Sequence, residues 1–255
     1  MKPRTLIFSG YGLNSEDETK VAFTLAGGEA DIVHVNDLLE SPKLLDRYQI
    51  IVFPGGFSYG DDTGSGKAYG RKVHHHLASA LDRFLDRDTL MAGICNGFQI
   101  LTNTGILPGA LIANTSGRFT CRYVDLDVRG TSPWLAGLSR LSFVVSHGEG
   151  RYFDTEKNLD KLEAAGAVAL TYAKGETASY SGLPANPNGS LRAIAGITGF
   201  DGRVIGLMPH PERALFFASR PDASALREAL IRAGKSVPKF ADGLAFFKNA
   251  VRYFA

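Results

Sequence analysis

Along the first hundred positions, short apolar runs alternate with stretches of helical spacing. The runs lie at residues 5–8, 30–35, 48–53 and 89–94, and apolar side chains recur three or four apart over 16–25 and 67–85. A continuous run such as 48–53 suits a strand covered on both faces, which is the condition of a parallel sheet. Strands alternating with helices therefore predict a doubly wound, mostly parallel sheet flanked by helices. From residue 110 the rhythm changes. Residues 110–114, 119–128 and 141–146 are β-rich with no helix between them, and 168–172, 191–198 and 204–208 continue the pattern. These predict an antiparallel extension of the sheet. The segment Ala185-Asn-Pro-Asn-Gly-Ser190 is turn chemistry. Helical patterns return at 223–233 and 244–253, separated by Ser236-Val-Pro-Lys239. With no repeat, low-complexity tract or linker, residues 1–255 read as one α/β domain.

Composition narrows the class. A chain of 255 residues with 44% hydrophobic content can bury a full core. A net charge of +2 gives no electrostatic argument for nucleic acid or membrane partners. No apolar stretch reaches membrane-spanning length and no signal-like segment precedes residues 5–8, so a cytoplasmic location is expected. Cys95 and Cys121 are the only cysteines. Two are too few for a disulfide scaffold or a cysteine metal site, and fit a reducing compartment. The simplest division makes Cys95 reactive and Cys121 a small core residue.

Cys95 follows the apolar run ending at Ile94 and is bracketed by Gly93 and Gly97. Helix-forming residues follow, so the stretch reads as a nucleophile elbow, a strand turning sharply into a helix, with sulfur in place of a hydroxyl. A thiol at a helix N-terminus is favoured as thiolate. Such a nucleophile needs a base, a group orienting that base, and oxyanion donors. Of six histidines, His74, His75 and His76 point around one helix, and His34 sits in a strand as a core or edge residue. His147 and His210 remain. His210 is the better base: it follows the 204–208 run, Pro209 and Pro211 stiffen its loop, and in an extended segment Glu212 would face the same way. The paired glycines of Phe53-Pro-Gly-Gly-Phe-Ser-Tyr-Gly-Asp61 expose backbone N–H groups. The N–H groups of Gly56 and Asn96 are the expected oxyanion donors.

Six segments, Pro54-Gly-Gly-Phe-Ser-Tyr-Gly-Asp61, Gly93-Ile-Cys-Asn-Gly-Phe-Gln99, Leu107-Pro-Gly-Ala110, His147-Gly-Glu-Gly-Arg-Tyr152, Asn186-Pro-Asn-Gly-Ser190 and Gly206-Leu-Met-Pro-His-Pro-Glu-Arg213, stand in one order. Together they resemble the class I glutamine amidotransferases, whose fold is flavodoxin-like, and within them the branch that forms the glutaminase subunits of phosphoribosylformylglycinamidine synthases. The likeness covers nearly all of 4–213 and resumes at 241–244. It implies that Cys95 attacks the glutamine side-chain amide, that His210 protonates the departing ammonia, and that a γ-glutamyl thioester is hydrolysed. It also implies that Gln99 helps hold glutamine and that His147, Glu149 and Arg151 line the site mouth or a partner face. No cofactor is expected in this chain. ATP and Mg would be bound by a large synthetase subunit that converts formylglycinamide ribonucleotide with the ammonia, joined by a small accessory subunit.

Two departures stand out. Asp62-Thr-Gly-Ser-Gly-Lys67 replaces an apolar and basic stretch, and residues 214–240 form a helical insertion longer than the branch leads one to expect. Residues 60–66 are the expected switch through which a partner would activate the site. The competing readings are a class I amidotransferase of another pathway, a cysteine amidohydrolase or peptidase on the same fold, and a non-enzymatic binding module.

Overall fold

The computed structural model describes residues 2–61 and 64–255; the Asp62–Thr63 part of the unusual loop lies outside them. The first hundred residues alternate as their rhythm predicts: β1 (Arg4–Ser9), α1 (Glu16–Ala26), β2 (Glu29–His34), α2 (Val35–Glu40), β3 (Ile50–Phe53), α3 (Lys67–Leu85), β4 (Leu90–Ile94) and α4 (Asn96–Thr104). There follow β5 (Ala110–Ile112), β6 (Thr120–Val128), β7 (Arg140–His147), β8 (Arg151–Phe153), α5 (Glu156–Ala164), β9 (Val168–Ala173), α6 (Glu176–Ser181), β10 (Ile194–Gly199), β11 (Val204–Leu207), α7 (Ala223–Arg232) and α8 (Asp242–Arg252).

The main sheet runs β2-β1-β3-β4-β11-β10-β9-β6-β7. Pairing is parallel from β2 to β11 and antiparallel from β11 onward. β5 and β8 form a separate antiparallel pair. Every residue of β3, β4 and β11 is buried, as continuous apolar runs require. α3 lays Tyr69, Val73, Leu77, Leu81 and Phe84 on the sheet, a three-to-four spacing, and turns His74, His75 and His76 to solvent. α8 returns against α1, where Phe23 and Phe247 meet edge to face at 5.1 Å. Among the described residues no helix is long and apolar enough to cross a membrane.

Two expectations need correction. Cys121 is exposed, not a core residue. It pairs with Ser146 of β7, but β9 joins β6 only from Asp125 onward, so this end of β6 projects past its other neighbour. Residues 191–193 form a 3-10 turn with Arg192 at φ 50°, and the strand starts at Ile194. Helices α2, α5 and α6 were not legible as helices. α5 is short, and it owes its start to Thr155, whose hydroxyl accepts the Asn158 N–H.

Candidate active site

The register of the parallel strands brings the pieces of the site to one edge. Phe53 stands opposite Gly93, and Leu207 opposite Ile94, so β3, β4 and β11 end together. Their loops carry Gly55 and Gly56, Cys95, and His210 respectively.

Cys95 has φ 52° and ψ −105°, a conformation that non-glycine residues rarely adopt. Such backbone costs about 1–3 kcal/mol and persists only where its surroundings fix it. Here the Cys95 N–H donates to the Leu207 carbonyl at 2.8 Å, and its own carbonyl accepts the Gln99 N–H at 3.1 Å. The flanking glycines have a second, steric reason. A Cβ on Gly97 would lie 1.9 Å from the Phe53 carbonyl oxygen, and one on Gly93 would lie 2.6 Å from that of Gly97. The start of α4 is thus pressed against the ends of β3 and β4. The Cys95 side chain, 4% exposed, sits at the positive end of α4 with its sulfur 3.7 Å from the Ser146 carbonyl oxygen.

His210 is held from three sides. Its N–H donates to the Val144 carbonyl at 2.7 Å, and its Nδ1 lies 2.5 Å from Glu212 Oε1. Its ring also packs so tightly on Gly55 that a Cβ there would lie 2.6 Å from Cε1. Glu212 reaches the imidazole through a 3-10 turn over Pro211–Arg213, not through the extended backbone expected from the sequence. Both side chains are essentially inaccessible. Burial would push the His210 pKa down. The Glu212 carboxylate outweighs it and Cys95 adds to the effect, so the imidazole is raised to about 10 and is held protonated. With Nδ1 committed to Glu212, Nε2 is buried without a hydrogen-bond partner of normal geometry among the described residues. Cys95 and His210 leave the ends of neighbouring strands, β4 and β11, where the Cys95 N–H bonds the Leu207 carbonyl.

The loop after β3 is tied back at several points. The Asn14 and Phe57 N–H groups bond the carbonyls of Gly55 and Gly12 at 3.0 and 2.8 Å, and neither bond uses the Gly56 N–H. A polar chain then runs across the site. The Ser58 N–H donates to Asn96 Oδ1 at 3.1 Å, and Asn96 Nδ2 to Gln99 Oε1 at 2.7 Å. Gln99 Nε2 donates to the Glu149 carbonyl at 2.6 Å, and the Ser65 N–H to Glu149 Oε2 at 3.0 Å. Gln99 is buried with both ends of its amide engaged, and Glu149 joins the β7–β8 turn to the loop after β3.

His147 is at neither the mouth nor an outer face. It is buried beneath the turn it begins, 2% exposed. Nδ1–H donates to Asn114 Oδ1 at 3.2 Å, and Nε2 accepts from Asn188 Nδ2 at 3.4 Å. Burial first, and then the charge of His210, push its pKa down to about 3, so its ring is neutral. Arg151 is half-buried in β8 opposite Ile112.

The chain matches a profile of the CobB/CobQ-like glutamine amidotransferase domain over residues 2–254. It is 43% identical over 265 residues to a phosphoribosylformylglycinamidine synthase subunit PurQ of Methanococcus maripaludis, covering 99% of this chain and 97% of that one. It is 41% identical to the subunit of the same name in Dehalococcoides mccartyi, covering 99% and 98%. The chain belongs to the PurQ family of glutamine amidotransferases. Among solved structures, PurLQS from Thermotoga maritima aligns over 100% of both chains with a TM-score of 0.73 and 33% identity. A second Thermotoga maritima glutamine amidotransferase, 16% identical with a TM-score of 0.52, shares the fold alone over 99% of this chain and 91% of that one.

Several residues that build this site were not singled out from the sequence. Asn114 and Asn188 clamp the turn at 147–150: Asn114 Nδ2 donates to the His147 carbonyl at 3.0 Å, and Asn188 Nδ2 to the Gly150 carbonyl at 2.7 Å. Gly55, Ser15 and Arg213 surround Glu212 and His210. Asn188 lay in view inside a turn motif, but its burial is a tertiary property that no local pattern announces.

Proposed function

We propose that this chain is the glutaminase component of a phosphoribosylformylglycinamidine synthase, with Cys95 as nucleophile, His210 as acid and base, and Glu212 as the orienting carboxylate. The observation that carries the reading is a cysteine on a strained elbow at a helix N-terminus, facing a buried His210–Glu212 ion pair. Each part is ordinary alone; the combination supports nucleophilic attack on an amide.

The thiolate is the attacking form of Cys95, and protonated His210 and the start of α4 supply the positive charge beside it. The sulfur attacks the side-chain carbonyl carbon of glutamine, and the oxyanion is received by the N–H groups of Gly56 and Asn96. The C–N bond then breaks as His210 delivers the Nε2 proton to the departing nitrogen, releasing ammonia and leaving a γ-glutamyl thioester. His210, now neutral, takes a proton from water. The resulting hydroxide displaces the sulfur and glutamate leaves. Gln99 contributes to the glutamine pocket after exchanging one of its internal hydrogen bonds.

Ammonia passes to a large synthetase subunit, where ATP and Mg activate formylglycinamide ribonucleotide, and a small accessory subunit completes the assembly. The cytoplasm is the compartment that suits this chemistry and a free nucleophilic thiol. Because Cys95, His210 and Glu212 are all nearly inaccessible, glutamine enters only when covering segments move. Residues 60–66, with the Ser65–Glu149 bond, are the parts a docked synthetase would reset, which makes the isolated chain slow. The test is glutaminase turnover of the chain with and without its synthetase subunit, with mass detection of a glutamyl adduct on Cys95. Stimulation with an adduct at Cys95 is expected. Equal turnover in both conditions would exclude the gating, and an adduct elsewhere would exclude the nucleophile.

A further inference from the structure

Ser15 occupies the residue before α1, the place where serine usually caps the helix, yet its hydroxyl makes no capping bond. Instead Arg213 Nη2 donates to Ser15 Oγ at 2.9 Å, across 198 positions of sequence. The same guanidinium approaches the triad carboxylate, with Arg213 Nε 3.7 Å from Glu212 Oε1, the oxygen that also bonds His210 Nδ1. Ser15 is fully buried, and its N–H donates to the Gly55 carbonyl at 3.2 Å. A Cβ placed on Gly55 would meet Ser15 Oγ at 3.2 Å and the His210 ring at 2.6 Å. Arg213 and Ser15 therefore tie the loop carrying the base to the loop after β3 that carries Gly56, around one glycine.

Glu212 is buried, and a buried carboxylate is costly unless charged and polar partners hold it in place. The bond to Ser15 fixes where the charge of Arg213 stands. We propose that Arg213, anchored by Ser15, is a positioning residue for glutamine hydrolysis: it fixes Glu212 against His210 and sets the ring in register with the Gly56 loop. This rests on the reading of Cys95, His210 and Glu212 given above. Arg213 reaches the site through Ser15 and Glu212, so its removal is expected to act on turnover more than on substrate affinity.

The experiment uses the assembled complex, comparing glutamine-dependent with ammonia-dependent synthesis for Arg213→Ala, Arg213→Lys, Ser15→Ala and Cys95→Ser. Arg213→Ala is expected to lower glutamine-dependent kcat by about 10- to 100-fold, with KM for glutamine changed far less. Arg213→Lys keeps the charge and should recover part of kcat. Ser15→Ala should lower kcat in the same sense by a smaller factor. Ammonia-dependent synthesis should be unchanged in all of them, and co-elution of each variant with the synthetase subunit checks that it is folded and docked. If Arg213→Ala fails to co-elute, the lysine and Ser15 variants decide. A loss carried by KM in place of kcat, or a kcat loss that lysine does not partly recover, overturns the proposal. If Cys95→Ser abolishes glutamine use while the Arg213 variants match the unaltered chain, this inference alone fails. If Cys95→Ser retains glutamine use, the reading beneath it fails.

Discussion

Replacing Glu212 by glutamine keeps the shape and an oxygen facing His210 Nδ1 but removes the buried charge. The His210 pKa is raised from an ordinary 6.5 to about 10 in the folded chain, against a burial that would lower it. The sign follows from linkage. A group whose folded pKa lies above its unfolded one stabilises the fold fully below the unfolded value, and loses that contribution as pH rises through the folded one. The stabilisation is therefore complete below pH 6.5 and gone above about 10. At about 1.4 kcal/mol per pH unit, the window bounds the linkage at about 5 kcal/mol, in line with the roughly 3–5 kcal/mol that breaking a buried ion pair costs. In Glu212→Gln, burial leaves His210 neutral across this window. The stability difference from the unaltered chain should thus be largest near pH 6.5, at about 3–5 kcal/mol, and shrink as pH climbs toward 10. Urea unfolding of both proteins at four pH values between 6.5 and 9.5 measures it, and contributions from all other groups cancel in the difference. A difference independent of pH, or a variant as stable as the parent at pH 6.5, would refute the ion-pair account. Glutamine-dependent turnover should fall at least about 100-fold in the same variant.

His147 predicts the opposite slope. Its folded pKa of about 3 lies below the unfolded 6.5, so the chain loses stability as pH falls below 6.5, by about 2 kcal/mol at pH 5; His147→Gln should flatten that acid limb in urea titrations, and an unchanged limb would count against a buried neutral ring. For Glu149→Gln, weakening the acceptor of the Ser65 N–H should speed hydrogen exchange of that amide about tenfold or more. Unaltered exchange there would mean that the bond does not restrain the loop.

The sequence made the parallel half of the sheet legible because its strands are buried on both faces and read as unbroken apolar runs. α3 was equally plain, because nineteen residues of clean spacing leave no rival period. The short helices α2 and α6, six residues each, carry too few turns for periodicity to show. At the site, Cys95, His210 and Glu212 stood out because elbow glycines and prolines mark them locally. Arg213, Ser15, Asn114 and Asn188 did not, because their partners lie tens to hundreds of positions away. Cys121 misled for a related reason: β6 alternates as a covered strand does, but β9 begins to cover it only four residues later. Gly93 and Gly97 stood out for the sharp turn and Gly55 and Gly56 for their exposed N–H groups, while contact constrains them as well, with Phe53 on Gly97 and His210 on Gly55.

The central claim, that Cys95 releases ammonia for a synthetase partner, is tested most directly by the nitrogen source of the assembled complex carrying Cys95→Ser. The account predicts that formylglycinamidine ribonucleotide synthesis from glutamine is lost while synthesis from ammonium salts persists at the parental rate. Synthesis from glutamine that survives the substitution would contradict it, and so would equal loss with both nitrogen sources.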